Sequence, residues 1–326
     1  MADYLVTGVA GFIASRVTEF LVNQGHTVTG VDNMNDAYDI RMKDYRLSRL
    51  EKLAGFHFAR LDISEKEAVF QNENLKNNHF DAVINLAARA GVRASLKNPW
   101  IFMETNLTGT LNLLEFSRLN KIRKFVQAST STVYGFNAPT PTPETADTNH
   151  PTQAYAASKK AAEVLCYSYH DLYDLDVSIL RYFTVYGPAG RPDMSMFRFA
   201  KWMIEDEPVQ LFGDGTQSRG FTYLDDIARG TMAALKPLGF EIFNLGGHEV
   251  ISMNALITLL ERITGRKARV NHLPANPGEL LTSHANVEKA QHLLGWAPKV
   301  SLEEGVKNLV EWYLSERDWA SEVSTQ

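Results

Sequence analysis

A doubly wound, parallel α/β sheet followed by a smaller C-terminal α/β unit is the fold this sequence predicts, and three observations carry the prediction. Short apolar, β-branched runs alternate with amphipathic stretches throughout the first half. A glycine-bearing loop joins the first such run to the first amphipathic stretch. After about Phe183 the alternation gives way to segments punctuated by Pro188, Gly190, Pro192, Gly213 and Gly215.

Taken in order, the runs Tyr4–Thr7, His26–Val31, Phe56–Arg60, Asp81–Asn85, Lys124–Ala128 and Val177–Arg181 read as strands. They are almost wholly apolar, as expected when helices cover both faces of a sheet. Ser15–Gln24 and Asn106–Asn120 read as helices between them, the second with Leu107, Leu111, Leu114 and Phe116 at near-helical spacing. A further helix starts at Tyr155. Beyond the change in character, Phe197–Glu205, Asn254–Gly265 and Leu302–Arg317 read as helices. The expected division places 1–183 and about 221–249 in the sheet domain, and 184–220 with 250–326 in the smaller one, leaving a cleft between them.

Bulk properties remove several function classes. The 326 residues are 44% hydrophobic and 22% charged, with a net charge of −5. A mildly acidic chain without a basic run is a poor partner for nucleic acid or a membrane surface. Cys166 is the single cysteine, which excludes an internal disulfide framework and a multi-cysteine metal site. Within the helical pattern around it, Cys166 reads as a small packed hydrophobe. Met1 runs straight into a strand, and no apolar run approaches the ~18 residues of a membrane span. The expectation is a cytoplasmic protein without a metal.

Chemistry enters at Gly8-Val9-Ala10-Gly11-Phe12-Ile13-Ala14, which follows a strand and opens a helix. Gly8 permits a tight turn, Gly11 leaves room for a pyrophosphate against the backbone, and Ala14 is small enough for close helix–strand packing. The helix N-terminus turns free N–H groups toward phosphate. Asp32 ends the second strand about 20 residues on, where a carboxylate accepts hydrogen bonds from the adenosine ribose. The same carboxylate repels a 2′-phosphate, and no arginine adjoins it in sequence, so this Rossmann-type unit is expected to bind NAD.

Tyr155 and Lys159 lie four positions apart at the start of a helix, on one face. A free tyrosine, with a pKa near ~10, is a poor base at neutral pH. An adjacent ammonium and a positive nicotinamide ring favour its phenolate.

With these residues in place, the chain resembles the extended short-chain dehydrogenase/reductase family of nucleotide-sugar epimerases, dehydratases and decarboxylases. The resemblance covers essentially the whole chain. It rests on the glycine loop, Leu86-Ala87-Ala88, Thr130-Ser131-Thr132-Val133-Tyr134-Gly135, Tyr155-xxx-Lys159, Arg181-Tyr182-Phe183-Thr184-Val185-Tyr186-Gly187 and Arg219–Asp226. It implies a triad of Tyr155, Lys159 and a hydroxyl residue, which is Thr130 when anchored on Val133-Tyr134-Gly135, with Ser131 as the alternative. It also implies cofactor contacts at Gly8, Gly11, Phe12, Ile13, Asp32, Asn33, Asn35, Asp62, Ile63, Leu86, Ala87, Ala88, Asn106, Tyr155, Lys159 and Tyr182.

The family oxidises a sugar at C4 and diverges afterwards. Dehydratases carry an Asp-Glu pair just before Val-Tyr-Gly, and decarboxylases a Glu immediately before it. Here those positions are Ser131 and Thr132, so elimination and decarboxylation lack their proton carrier and epimerisation is implied. The segments Asp32–Arg41, Ala87–Leu96 and Thr184–Met194 resemble the UDP-glucuronate branch in particular. Arg191 offers a rigid fork of donors to a sugar carboxylate, with Thr184 as a hydroxyl partner. Arg93, Ser95, Gln210, Phe212, Arg219 and Glu279 complete the implied substrate set. Ala94, Asn286, Ala14 and the Gln210–Arg219 stretch depart from that branch, leaving a neutral UDP-glucose/UDP-galactose 4-epimerase as the alternative. A non-catalytic NAD-binding regulator is the alternative of another class. The resemblance also implies a homodimer, formed by packing Asn106–Asn120 and Tyr155–Leu172 into a four-helix bundle.

Overall fold

A computed structural model describes residues 1–275 and 281–325. Its larger sheet contains β1 (Asp3–Thr7), β2 (Thr27–Asp32), β3 (Phe56–Arg60), β4 (Ala82–Asn85), β5 (Lys124–Thr130) and β6 (Asp176–Tyr182). Every pairing is parallel, and β1 lies between β2 and β4. The connections therefore leave β1 in opposite directions, which opens a crevice at the strands' C-terminal ends. Thr7 pairs beside Val31 and Asn85, and Thr130 beside Tyr182, so the residues of interest emerge on one edge.

Alternation along each buried strand feeds two cores. Leu5, Val31, Val83, Phe125 and Val177 pack on one face with Leu113, Phe116, Cys166 and Tyr169. Val6, Val28, Ile84, Val126 and Leu180 pack on the other with Val17, Leu21 and Ile227. Cys166 is a free, fully buried thiol of this first core, and burial pushes its pKa up.

The sheet has a seventh strand, Phe240–Leu245, parallel to β6 at the edge. The strand reading omits it because Glu241 and Asn244 break the apolar run and its first half is only partly buried. A smaller sheet is built around Ser218–Tyr223, which pairs with Thr184–Tyr186, Val250–Ser252 and Thr282–Ser283. Val209–Phe212 pairs separately with Val270–Leu273. The helices Ser195–Ile204, Met253–Thr264 and Leu302–Ser315 share a third core through Phe197, Leu256, Leu260, Val306 and Tyr313.

One helix differs from expectation in a consequential way. The segment expected as Asn106–Asn120 begins as a helical turn at Trp100–Met103, passes through a π-turn at Glu104–Thr108 and becomes α-helical over Gly109–Leu119. Apolar periodicity locates the buried stripe but does not register the extra residue of a π-turn, a device frequent at functional sites.

Candidate active site

The glycine loop is held from the β2 side. Gly8 N–H donates to the Val31 carbonyl at 2.7 Å, and Ala10 N–H donates to Asp32 Oδ2 at 3.2 Å. Gly8 sits at φ +74°, where a Cβ would also lie 2.8 Å from the Ala87 Cα; at Gly11 a Cβ would lie 2.7 Å from the Gly8 carbonyl oxygen. Both positions therefore require glycine. The helix Phe12–Asn23 starts without a side-chain cap, so its first N–H groups remain for a phosphate. Ala14 is buried, closing the helix onto the sheet.

At the end of β2 a polar chain runs around Asp32. Met34 N–H donates to Asp32 Oδ1 at 2.8 Å, and Lys43 Nζ approaches the same oxygen at 3.4 Å. Lys43 also donates to Asn35 Oδ1 at 3.1 Å; Asn35 Nδ2 donates to Asn33 Oδ1, and Asn33 Nδ2 to Asp62 Oδ2. Burial alone would raise the Asp62 pKa, but donors from Ser64 and Asn33 and the charge of Arg89 bring it below the usual carboxylate value. Among the described residues Asp32 pairs with no arginine but with Lys43, carried there by the helix Arg41–Leu50. Ile63 is buried, its Cδ1 2.7 Å from where a Cβ on Gly109 would stand.

At the centre, Thr130 ends β5 and Tyr155 and Lys159 lie on the helix Ala154–Tyr173. Burial raises the Tyr155 pKa above its ordinary value, and a hydrogen bond from Thr130 and the charge of Arg191 offset only part of that rise. Lys159 is 2% exposed, and its Nζ has no hydrogen-bond partner. Burial pushes its pKa down to about 8, against the fields of Cys166 and Glu163. Thr130 Oγ1 also lies 2.8 Å from Thr132 Oγ1. Ser131, the alternative hydroxyl, lines a cavity with Phe136, Thr140 and Leu281 instead. One turn beyond Lys159, Glu163 accepts from Ser129 Oγ and takes both arms of the Arg181 guanidinium, fastening this helix to β5 and β6.

Some expected contacts are spent inside the chain. Asn106, in the π-turn, accepts from Arg89 N–H and donates to the Arg89 carbonyl and Ser158 Oγ. It ties the loop after β4 to the Tyr155 helix, since Ser158 donates to the Tyr155 carbonyl. Leu86 and Ala87 donate their N–H groups to Thr7 Oγ1, leaving the backbone through Ala88 at the mouth of the crevice. The Tyr182 hydroxyl is buried against Thr231 Oγ1 at 2.8 Å. That side chain points into the core, leaving only its main chain toward the crevice.

The residues expected at the sugar include three arginines. Arg191 is half-buried and donates to Asp193 from Nε at 3.0 Å and Nη2 at 2.6 Å. Arg93 stacks over Phe212, its Cζ 4.4 Å from the ring centroid. Arg219 lies on the central strand of the small sheet, beside Phe221, which pairs with Thr184. Gln210 begins the edge leading to Phe212 and accepts from Asn271 Nδ2. Ser95 turns inward, fully buried and donating to the Val92 carbonyl. Its hydroxyl therefore serves the helix Val92–Lys97. Glu279 lies outside the described residues.

Sequence reading missed Lys43, Asp193 and Arg198. Arg198 stacks over Trp202, its Nε is buried without a partner, and burial together with the charge of Arg93 lowers its pKa. The i+2 carboxylate after Arg191 was visible as a possible partner. The other two depend on how helices pack and had no sequence signal.

A glycine cradle at the head of an uncapped helix, an acid at the end of β2, and a tyrosine bonded to the Thr130 hydroxyl one helical turn before a buried lysine define an NAD-dependent enzyme of the short-chain dehydrogenase type. The chain belongs to the NAD dependent epimerase/dehydratase family, which matches residues 4–246. It is 53% identical over 316 residues to a UDP-glucuronate 4-epimerase of Thermodesulfobacterium geofontis, covering 96% of each chain. A UDP-glucuronic acid 4-epimerase from Bacillus cereus, solved with UDP-glucuronic acid and NAD, superposes with a TM-score of 0.88 at 38% identity. That match covers 96% of this chain and 99% of the other. A Thermotoga maritima UDP-glucose 4-epimerase solved with UDP-glucose superposes with a TM-score of 0.89 at 34% identity, over 97% and 99%.

Proposed function

We propose that this protein is an NAD-dependent UDP-sugar 4-epimerase whose substrate is UDP-glucuronate, converted to UDP-galacturonate through a 4-keto sugar. The observation that carries the reading is the buried, unpartnered Lys159 Nζ, one helical turn from a Tyr155 whose pKa burial raises and whose neighbours Thr130 and Arg191 partly bring back down. An orphaned ammonium of this kind fits a cofactor ribose, and the glycine cradle fits its pyrophosphate. Lys159, Asp32 and the N-terminus of Phe12–Asn23 would hold NAD, which supplies the hydride acceptor and donor at C4 when bound.

The remaining work falls to the chain. Tyr155 takes the C4 hydroxyl proton as a phenolate and gives it back after the ketone has turned. Thr130 donates to the same oxygen, holding it in register. Lys159, one helical turn along, supplies a positive charge that favours the phenolate. With Ser131 and Thr132 where the dehydratase and decarboxylase acids stand, neither position carries an acid for elimination or loss of carbon dioxide. Arg191 and Thr184 receive the sugar carboxylate, and the Arg93–Phe212 stack and Arg219 border the nucleotide end.

The second reading, a neutral UDP-hexose 4-epimerase, is favoured by Asp193, which already neutralises the Arg191 fork. Incubation with UDP-glucuronate and UDP-glucose, followed by NMR of the anomeric protons, separates the readings. Galacturonate signals alone support the first; galactose signals alone replace it with the second. No turnover of either sugar, with NAD still bound, would leave a non-catalytic regulator.

We further propose a cytoplasmic homodimer. Among the described residues no helix is long and apolar enough to cross a membrane. Trp100, Met103 and Leu111 on one helical segment, and Val164 and Tyr167 on Ala154–Tyr173, leave apolar side chains exposed. Their helical spacing supports a bundle between two copies.

A further inference from the structure

Arg46 has no place in the chemistry above, yet it is 3% exposed and every arm of its guanidinium is used. Nη1 donates to the Ala10 carbonyl of the glycine loop at 3.1 Å and to the Tyr38 hydroxyl at 2.8 Å. Nε and Nη2 donate to the Ala189 carbonyl at 3.0 and 2.7 Å, and Nη2 also reaches the Gly190 carbonyl at 3.2 Å. One side chain therefore joins the cofactor loop to the two residues immediately before Arg191.

The joined turn needs restraint. Ala189 sits at φ +51°, in the left-handed region that a residue with a Cβ occupies at a cost. Gly190 packs its α-carbon on Phe12, the first residue of the helix after the glycine loop: a Cβ there would lie 3.7 Å from the Phe12 ring. The guanidinium itself stands 5.8 Å from the Phe12 ring centroid and 5.5 Å from that of Tyr38.

We propose that Arg46 is a positioning residue that clamps the strained Ala189–Gly190 turn to the glycine loop and thereby aims Arg191 at the sugar carboxylate. The proposal rests on the reading of Arg191 as the carboxylate-binding residue. Lysine, a point charge with three rotatable donors, cannot reproduce a planar fork shared among four acceptors.

The test measures affinity of the NAD-bound protein for UDP-glucuronate and UDP-glucose by calorimetry. Arg46→Lys is expected to weaken UDP-glucuronate about tenfold while shifting UDP-glucose less than twofold, the scale of one misaligned charge-assisted bond. In an Arg191→Ala background the same change is expected to add less than twofold, because its effect passes through Arg191. Ala189→Gly combined with Arg46→Lys is expected to recover part of the loss, since glycine takes φ +51° without strain. Should Arg46→Lys not fold, Tyr38→Phe removes one acceptor and carries the same test with a two- to threefold shift. Equal weakening toward both sugars, or additive losses with Arg191→Ala, overturns the clamp. Failure of the underlying reading looks different: Arg191→Ala alone then leaves the two affinities in their wild-type ratio.

Discussion

Lys159 is a fully buried cation and Arg191 a half-buried one whose charge reaches Tyr155, and the two are kept in opposite states. Lys159 has no partner for its ammonium, and burial holds its pKa near about 8. Arg191 has its fork closed on Asp193, and its pKa is raised through that carboxylate. The cofactor side is thus built with an unmet need, while the substrate side is built with its need met internally. On the proposed function, a cofactor relieves the first state on binding, and a uronate must compete with, or share, the contact that satisfies the second.

The largest expected effect comes from removing the unmet need. Lys159→Met should lower kcat by about 10²–10⁴-fold, the range for lost acid–base support, and yet stabilise the NAD-free fold. A lysine displaced from 10.5 to about 8 carries a burial penalty of about 3 kcal/mol in its charged form. The folded pKa is the lower one, so the unfolded chain holds more protons between those values. The penalty is therefore complete below about pH 8 and fades as pH rises toward 10.5. Denaturant unfolding at pH 7 should find the variant more stable than the wild type, and the gap should narrow by pH 9.5. Added NAD should also narrow it, because the cofactor stabilises only the protein that keeps the lysine. A variant less stable than wild type at pH 7 would show that Lys159 is already satisfied in solution.

The contrast also separates what the sequence made legible from what it did not. Gly8, Gly11, Asp32, Tyr155 and Lys159 are readable because each depends on local geometry: a strand followed by a tight turn, a strand end, one face of a helix. Six of the seven large-sheet strands are readable for the same reason, and Phe240–Leu245 escapes because an edge strand tolerates Glu241 and Asn244. The substrate side depends on loops brought together from distant parts of the chain. Ser95 and Tyr182 match a family pattern, yet their hydroxyls are spent on Val92 and Thr231. Asn106 serves the Arg89 loop because a π-turn rotates it inward, and no residue periodicity announces that rotation. Lys43 and Arg46 are four and seven positions past Asp39, on a helix whose packing direction alone decides that they face the crevice.

The next effect in size tests the side whose need is met. Arg191→Ala should raise KM for UDP-glucuronate by about 10- to 100-fold, the loss of one or two charge-assisted hydrogen bonds. Its KM for UDP-glucose should move less than threefold, and kcat on that sugar should hold. Tyr155 also loses a nearby positive charge that lowers its pKa, so an alkaline shift of the activity profile should accompany the mutation on both sugars. Steady-state kinetics across pH 6–10 with both sugars reads the two effects separately. Equal KM changes would place Arg191 at a group the two substrates share, and the carboxylate role would be lost.

The smallest effect is the sharpest probe of the comparison. Asp193→Asn leaves an oxygen to accept from Arg191 but removes the charge that a uronate meets on arrival. Two carboxylates around one guanidinium repel each other across a few ångströms, and partial exposure of both side chains screens that repulsion. The expected result is a KM for UDP-glucuronate lowered by about threefold, with UDP-glucose unchanged. If Asp193 instead served mainly to hold the fork in place, the same variant would raise KM, and Asp193→Ala would raise it further. A fall for asparagine with a rise for alanine would assign both roles to this one residue: its oxygen positions Arg191, and its charge sets how strongly an incoming carboxylate must compete.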